Sequence, residues 1–437
     1  MKSIQPQNVI STLEKSILVD GFHKVIDLEK SQGSYIIDAI TGKKTLDCYT
    51  YFASLPIGHN HPKMADPTFQ KKLMTAALSN PANSDIYSKE LAQSVDTFAR
   101  LAKPEYMNHL FFVAGGALAV ENCCKAAIDW KVQKNFQKGY NTEKGHQIMH
   151  LKQAFHGRSG YTMSLTNTDP IKTQYFPKFD WPRINNPKLN FPINNAVITN
   201  VKKQEEKSLE EIHQSLKTNK DDIAGIIIEP IQGEGGDNHF RPEFIQSLEQ
   251  VCNENEMLLM VDEIQTGMGT TGKMWAHQYH KVKPDLLAFG KKAQVCGIMG
   301  GPKLDQIENN VFKKSSRINS TWGGNLVDLV RGARYLEIIH EDNLIENAKT
   351  VGEYFLQELN NKISDNDKIT NIRGQGTFIA FDAKNPQARN ELWQKTWDNN
   401  LAMLTCGEKS IRFRPALTFS KEDVDTAIKI LQKTIHN

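Results

Sequence analysis

The sequence predicts an α/β fold: a mostly parallel sheet covered by helices, with a smaller α+β domain beside it. Three observations carry that expectation. Short apolar runs alternate with helical patterns through the middle of the chain. The runs are continuous in Ile, Leu, Val and Met, without polar residues at every second position. The two ends of the chain read differently from the middle. Continuous runs mark strands buried on both faces, as parallel strands between helices are.

The runs are HLFFV (109–113), HQIMHL (146–151), AGIIIE (224–229), MLLMVDE (257–263) and DLLAFG (285–290). The first precedes a helical pattern from about Ala117 to Val132, with Val120, Cys124, Ala127 and Trp130 on one face. Before the runs, SYIIDAITGKKTLDCYT (34–50) reads as a hairpin turning at Thr41-Gly42. After them, one helical stretch runs from about Leu326 to EYFLQELNNKI (353–363). GTFIAFDA (376–383) and SIRFRPAL (410–417) then read as strands of a second sheet. The expected division is a large domain over 71–325 and a small one formed by 1–70 and 326–437.

Composition narrows the function. The 437 residues carry 53 Lys and Arg against 50 Asp and Glu, a net charge of +3. No strong field is available to hold nucleic acid or an anionic membrane. No apolar run approaches bilayer length, and MKSIQPQNVI lacks the apolar core of a signal peptide. The six cysteines are scattered without a C-x-x-C pair, as expected of reduced thiols in a cytoplasmic protein. His59 and His61 of GHNH have no cysteine or carboxylate cluster beside them, so a loop is expected there and no metal site.

In such sheets ligands bind beyond the carboxyl ends of the strands. After HLFFV, Ala114-Gly115-Gly116-Ala117 opens a helix whose free N–H groups and dipole favour an anion such as phosphate. After HQIMHLKQA come Phe155, His156, Gly157 and Arg158. After AGIII come Glu229-Pro230 and then Gly233-Glu234-Gly235. After MLLMV come Asp262, Glu263 and Gln265, and after DLLAFG come Lys291 and Lys292. A phosphate nest, an aromatic plane, a buried acid and a lysine form the set that pyridoxal 5′-phosphate needs. The lysine forms its Schiff base, the acid keeps the pyridine nitrogen protonated, and the aromatic faces the ring.

A competing pattern lies at Gly267 to Gly272, which spells G-x-G-x-x-G, the dinucleotide fingerprint. The first glycine of that fingerprint follows its strand directly and usually near the start of a domain. Here Asp262 and Glu263 intervene, and an acid pair repels a pyrophosphate.

In LLMVDEIQTGMGTTGKMWA, and in the lysine at the next strand end, the chain resembles the class III (omega-amino) aminotransferases, pyridoxal-phosphate enzymes of fold type I. The resemblance covers nearly the whole chain. It implies a large, mostly parallel seven-stranded sheet domain with a smaller α+β domain, the cofactor pyridoxal 5′-phosphate, and a homodimer with shared active sites. It also implies that the glycines of 267–272 form a turn and that Asp262 pairs with the pyridine nitrogen. Lys291, which follows Gly290, would carry the cofactor and then serve as base for the 1,3-proton shift, with Lys292 structural. Phe155 would stack on the ring, Gln265 bond its phenolic oxygen, and Glu229 support it from behind. The N–H groups of Gly116 and Ala117 would hold the phosphate, and Thr321 of NSTWGGN would reach the phosphate of the neighbouring subunit. His156 reads either as a base or as a packing and hydrogen-bonding residue beside the cofactor.

Several segments depart from the general family pattern: AGGALAVEN at the phosphate loop and FGKKAQVCGIMGG around the lysine. With FHGRSGYTMSLTNT, NSTWGGN and SIRFRPAL they resemble the branch that moves the side-chain amine of L-lysine to 2-oxoglutarate. In that branch Arg412 would clamp the carboxylate next to the ketone and Arg158 the distal one. Lysine, reacting through its side chain, would set its own carboxylate on Arg158 and leave Arg412 unpaired. Glu234 would then neutralise Arg412 as a switchable ion pair, with Asn319 a further contact. Arg412 lies between Ile411 and Phe413 in an apolar strand pattern, which argues against a solvated surface charge. Family members acting on ornithine, acetylornithine or 4-aminobutyrate share the cofactor residues and stay open as alternatives. So do a mutase of the same fold and a cofactor-binding protein without turnover.

Overall fold

Each of the five apolar runs forms a strand, and the strands share one sheet. The computed structural model describes residues 3–364 and 368–436. After a short helical segment over Pro6–Asn8 and Val9–Leu13, its first strands form the antiparallel hairpin of β1 (Tyr35–Ile37) and β2 (Lys44–Asp47). The central strands follow: β3 (His109–Val113), β4 (Gln147–Leu151), β5 (Arg183–Ile184) and β6 (Ile223–Ile228). A two-stranded ribbon, β7 (Ile231–Gln232) and β8 (Asn238–His239), interrupts them before β9 (Leu258–Asp262), β10 (Leu286–Phe289) and β11 (Cys296–Gly300). The seven-stranded sheet has the order β3-β11-β10-β9-β6-β4-β5. Within it only β11 runs against the rest, antiparallel to both β10 and β3. All residues of β6, β9 and β10 are buried, as continuous apolar runs between two helical layers require.

The helix Gly116–Gln137 covers one face and buries Val120, Cys124, Ala127 and Trp130. Against the other face the helix Pro242–Glu254 packs Phe244, Ile245 and Leu248. The C-terminal part adds β12 (Ile369–Gln375), β13 (Phe378–Ala383), β14 (Leu401–Ala402), β15 (Leu404–Cys406) and β16 (Ser410–Phe413). Four of these form an antiparallel sheet in the order β12-β13-β16-β15, while β14 pairs in parallel with β2.

Two strands of the seven-stranded sheet, and one helix break, were not legible in the sequence. β5 is too short to show a period, and β11, CGIMG, has glycines where an apolar run would signal a strand. The helical stretch expected from Leu326 to 363 is two helices, Leu326–Glu341 and Leu344–Lys362. Asn343 between them is left-handed (φ 52°), a conformation that asparagine tolerates better than most side chains.

Close strand approach depends on Gly225 in β6, where a Cβ would stand 2.4 Å from the Leu258 carbonyl oxygen of β9. Gly225→Val is therefore expected to push these two strands apart and lower the unfolding free energy by about 1–3 kcal/mol or more, measured by denaturant unfolding.

Candidate active site

The carboxyl ends of β3, β4, β6, β9 and β10 open into one cavity of about 780 Å³. Of the residues expected to form a site, Gly116, Ala117, Phe155, His156, Arg158, Glu229, Glu234, Asp262, Gln265, Lys291 and Arg412 line it. Asn319 and Thr321 do not. Both are exposed in a loop outside the cavity, where Asn319 Oδ1 accepts the Ser320 N–H and the Thr321 carbonyl accepts the Ser84 hydroxyl (3.2 Å).

Strand alternation separates the acid pair that ends β9. Asp262 faces the cavity, with Oδ2 2.8 Å from His156 Nδ1 and Oδ1 accepting the Ile264 N–H at 3.1 Å. A carboxylate only accepts, so the hydrogen of that contact lies on Nδ1. His156 is buried and acts on Asp262, orienting it. Glu263 turns away, accepting from Thr266 Oγ1 and from the backbone N–H groups of Ala276 and His277. The glycines that follow make a turn, with Gly269 at φ 91° and Gly272 at φ 85°, and no helix begins there. The dinucleotide motif is thus absent as a structure.

Glu229, just past β6, accepts the Phe155 N–H on one oxygen and the Gly233 N–H on the other, both at 3.0 Å. Burial raises its carboxyl to about 7, against the pull of His156. It therefore holds the loop carrying Phe155 in place from behind the cavity.

Lys291 follows β10 in a short 3-10 turn and takes a left-handed φ of 48°. Burial first, then the Arg412 guanidinium, lower its ammonium below the ordinary range, against the opposite effect of Asp262. An amine so depressed is a better nucleophile and base near neutrality. Lys292 points elsewhere. It is buried, its Nζ has no hydrogen-bond partner among the described residues, and it does not line the cavity.

The remaining charges form linked pairs. Arg412, on β16 and 1% exposed, donates from Nη2 to Glu234 Oε2 at 2.7 Å. Glu234 sits in the turn of the β7–β8 ribbon, and its Oε1 accepts Lys172 Nζ at 2.6 Å. Two residues beyond Arg412, on the same side of the strand, Arg414 pairs with buried Asp237 at 2.5 Å. Gln265 Oε1 accepts from Arg414 and Arg412. Arg158, exposed at the cavity, makes no ion pair among the described residues. Sequence reasoning missed Lys172 and Asp237, which carry no motif, and Arg414, which stands two residues past Arg412 in SIRFRPAL. It also missed Phe52, Ser54 and Gln294, which line the cavity beside them. Thr50, Tyr51, Phe52 and Ala53 all take positive φ (43–68°), a run that no propensity signals.

The residues present fit pyridoxal 5′-phosphate. The helix starting at Gly116 has no side-chain cap, so its first N–H groups are available to a phosphate at the cavity. An oriented carboxylate, a lowered amine and an aromatic ring border the same space.

Known proteins match this chain in sequence and fold. The family described as Aminotransferase class-III matches residues 19–435. An L-lysine-epsilon aminotransferase of Mycobacterium tuberculosis is 46% identical over 98% of this chain and 96% of its own. One from Streptomyces clavuligerus is 45% identical over 99% and 95%. Among solved structures, a lysine aminotransferase from M. tuberculosis in the internal aldimine form superposes with a TM-score of 0.97, at 45% identity and 99% coverage of both chains.

Burial alone would raise the Glu234 carboxyl, but Arg412 and then Lys172 hold it below the ordinary 4.5. A depressed carboxylate contributes stability above its unfolded value and loses it as pH falls through the folded one. Glu234→Gln is expected to flatten the acid limb of the stability curve below about pH 4.5, measured by denaturant unfolding at a series of pH values.

Proposed function

The chain belongs to the class III aminotransferases, and we propose that within them it moves the side-chain amine of L-lysine to 2-oxoglutarate. The products are glutamate and 2-aminoadipate 6-semialdehyde, which cyclises to a piperideine carboxylate. The observation that carries this reading is the Glu234–Arg412 pair inside the cavity. A keto acid with two carboxylates needs two cations, Arg412 and Arg158. Lysine, entering side chain first, brings one carboxylate and needs Arg158 only. An internal anion that neutralises Arg412 in the lysine half-reaction meets both demands with one site.

Pyridoxal 5′-phosphate, the cofactor of this family, supplies an electron sink when bound. The N–H groups of Gly116 and Ala117 would hold its phosphate and Phe155 its ring face. Asp262, oriented by His156, would keep a proton on the ring nitrogen. Gln265 commits its Oε1 to the two arginines, which leaves Nε2 to donate to the ring oxygen. Lys291 Nζ would carry the cofactor and, once the substrate amine takes its place, move the proton between substrate and cofactor carbons. Glu229 would fix the Phe155 loop.

A homodimer agrees with the position of Thr321 and Asn319 outside their own cavity, from which they would serve the partner's site. The apolar side chains exposed nearby support it: Phe52, Leu118, Trp322, and Ile86 with Tyr87 beside Ser84. Six free cysteines, five of them buried, support a cytoplasmic setting. No helix among the described residues is long and apolar enough to cross a membrane.

Glutamate formation from 2-oxoglutarate is the test, with L-lysine, ornithine and 4-aminobutyrate as donors and 2-aminobenzaldehyde trapping the piperideine. Lysine is expected to lead the panel and Lys291→Ala to lose about 100-fold or more of the rate. Glutamate from ornithine or 4-aminobutyrate without any from lysine would overturn the substrate. Glu234→Ala should retain lysine binding and blunt the discrimination between the two half-reactions.

A further inference from the structure

Glu234 is not held by Arg412 alone. Arg412 takes one of its oxygens and Lys172 the other, at 2.7 and 2.6 Å, so the carboxylate is shared between two cations. Lys172 ends the short turn Pro170–Lys172. Its side chain is 14% exposed where that of Arg412 is 2%, so Lys172 is the better hydrated of the two. Its Nζ also lies 5.3 Å from the centroid of the Phe155 ring.

The backbone beneath Glu234 is pinned. Its carbonyl accepts the Gly407 N–H at 2.8 Å. Arg373 donates to the Gly236 and Asp237 carbonyls of the same turn, and Arg414 holds the Asp237 side chain. Release of Arg412 is therefore a rotation of the Glu234 side chain within a fixed turn. With one cation only, that rotation would leave a partly buried carboxylate, its side chain 27% exposed, without an ionic partner, which disfavours opening the pair. With Lys172 on the other oxygen, a partner stays in contact throughout.

We propose that Lys172 is the second seat of the Glu234 switch: it retains the carboxylate when Glu234 leaves Arg412, and so sets how readily the site admits a dicarboxylate keto acid. This rests on the reading of Arg412 as the keto-acid clamp. Lys172 acts through Glu234, as a positioning residue for specificity.

The test uses the holoenzyme with Lys172→Met and Lys172→Arg, each in the natural and the Glu234→Ala background. Cofactor absorbance follows the two half-reactions separately, and calorimetry reads binding of glutarate, a dicarboxylate without a ketone. Lys172→Met is expected to weaken 2-oxoglutarate and glutarate about tenfold, while the L-lysine half-reaction changes by less than about twofold. Lys172→Arg should restore most of the loss. In the Glu234→Ala background Lys172→Met should have no further effect, since the residue it acts through is gone. Equal losses in both half-reactions, or the same loss without Glu234, would overturn the proposal. A wild type that uses another amine with 2-oxoglutarate would remove the lysine reading and leave this one standing, because the contrast is read on the keto acid. A wild type that binds neither 2-oxoglutarate nor glutarate would remove both.

Discussion

The registered pairing of β6, β9 and β10 is the constraint from which the site follows. Their ladders set Ile228 against Val261 and Ala288 against Asp262. The Glu263 N–H then donates to the Ala288 carbonyl at 2.9 Å. A slip of one residue would exchange the two faces of a strand. It would turn Glu263 into the cavity and bury Asp262 where Ala276 and His277 now supply N–H groups to Glu263. In this register the groups just beyond Ile228, Val261 and Phe289 arrive together at one edge.

Charge at that edge is organised in pairs that leave particular groups exposed to a ligand. His156 takes one oxygen of Asp262, and Arg414 takes Asp237. Glu234 is divided between Arg412 and Lys172. Lys291 makes no such pair among the described residues and is lowered by its burial and by the nearby guanidinium. Paired in this way, Asp237, Glu234, Arg412 and Arg414 keep compensating contacts where burial would otherwise penalise them. A ligand carboxylate that reaches Arg412 must therefore displace an anion already in place, which makes the site responsive to the charge of what enters.

The C-terminal sheet completes this arrangement. β16 delivers Arg412 to the cavity and leads directly into Arg414, and its neighbour β13 carries Asp382, which pairs with Arg373 at 2.9 Å. Arg373 in turn fixes the ribbon turn that bears Glu234. The two sheets are thus joined through the ion pairs beside the cavity, and strain in the chain, at Lys291 and along Thr50–Ala53, sits at the same junction.

The sequence by itself determined the five core strands, the covering helix from Gly116, the hairpin at Thr41-Gly42, and the residues at each strand end, among them Phe155, Glu229, Asp262 and Lys291. These depend on local hydrophobic pattern and on the residue that follows it, both visible within a short window. Tertiary structure alone decided the rest. The antiparallel strand β11 owes its place to neighbours on both sides, and the helical stretch from Leu326 breaks where Asn343 turns left-handed. The partners of Glu234 lie 62 and 178 residues away in the chain. A lysine in an exposed-looking loop has no periodicity to betray it, and a buried ion pair is a property of two distant positions at once. Its existence depends on where the chain brings them, which no local pattern encodes.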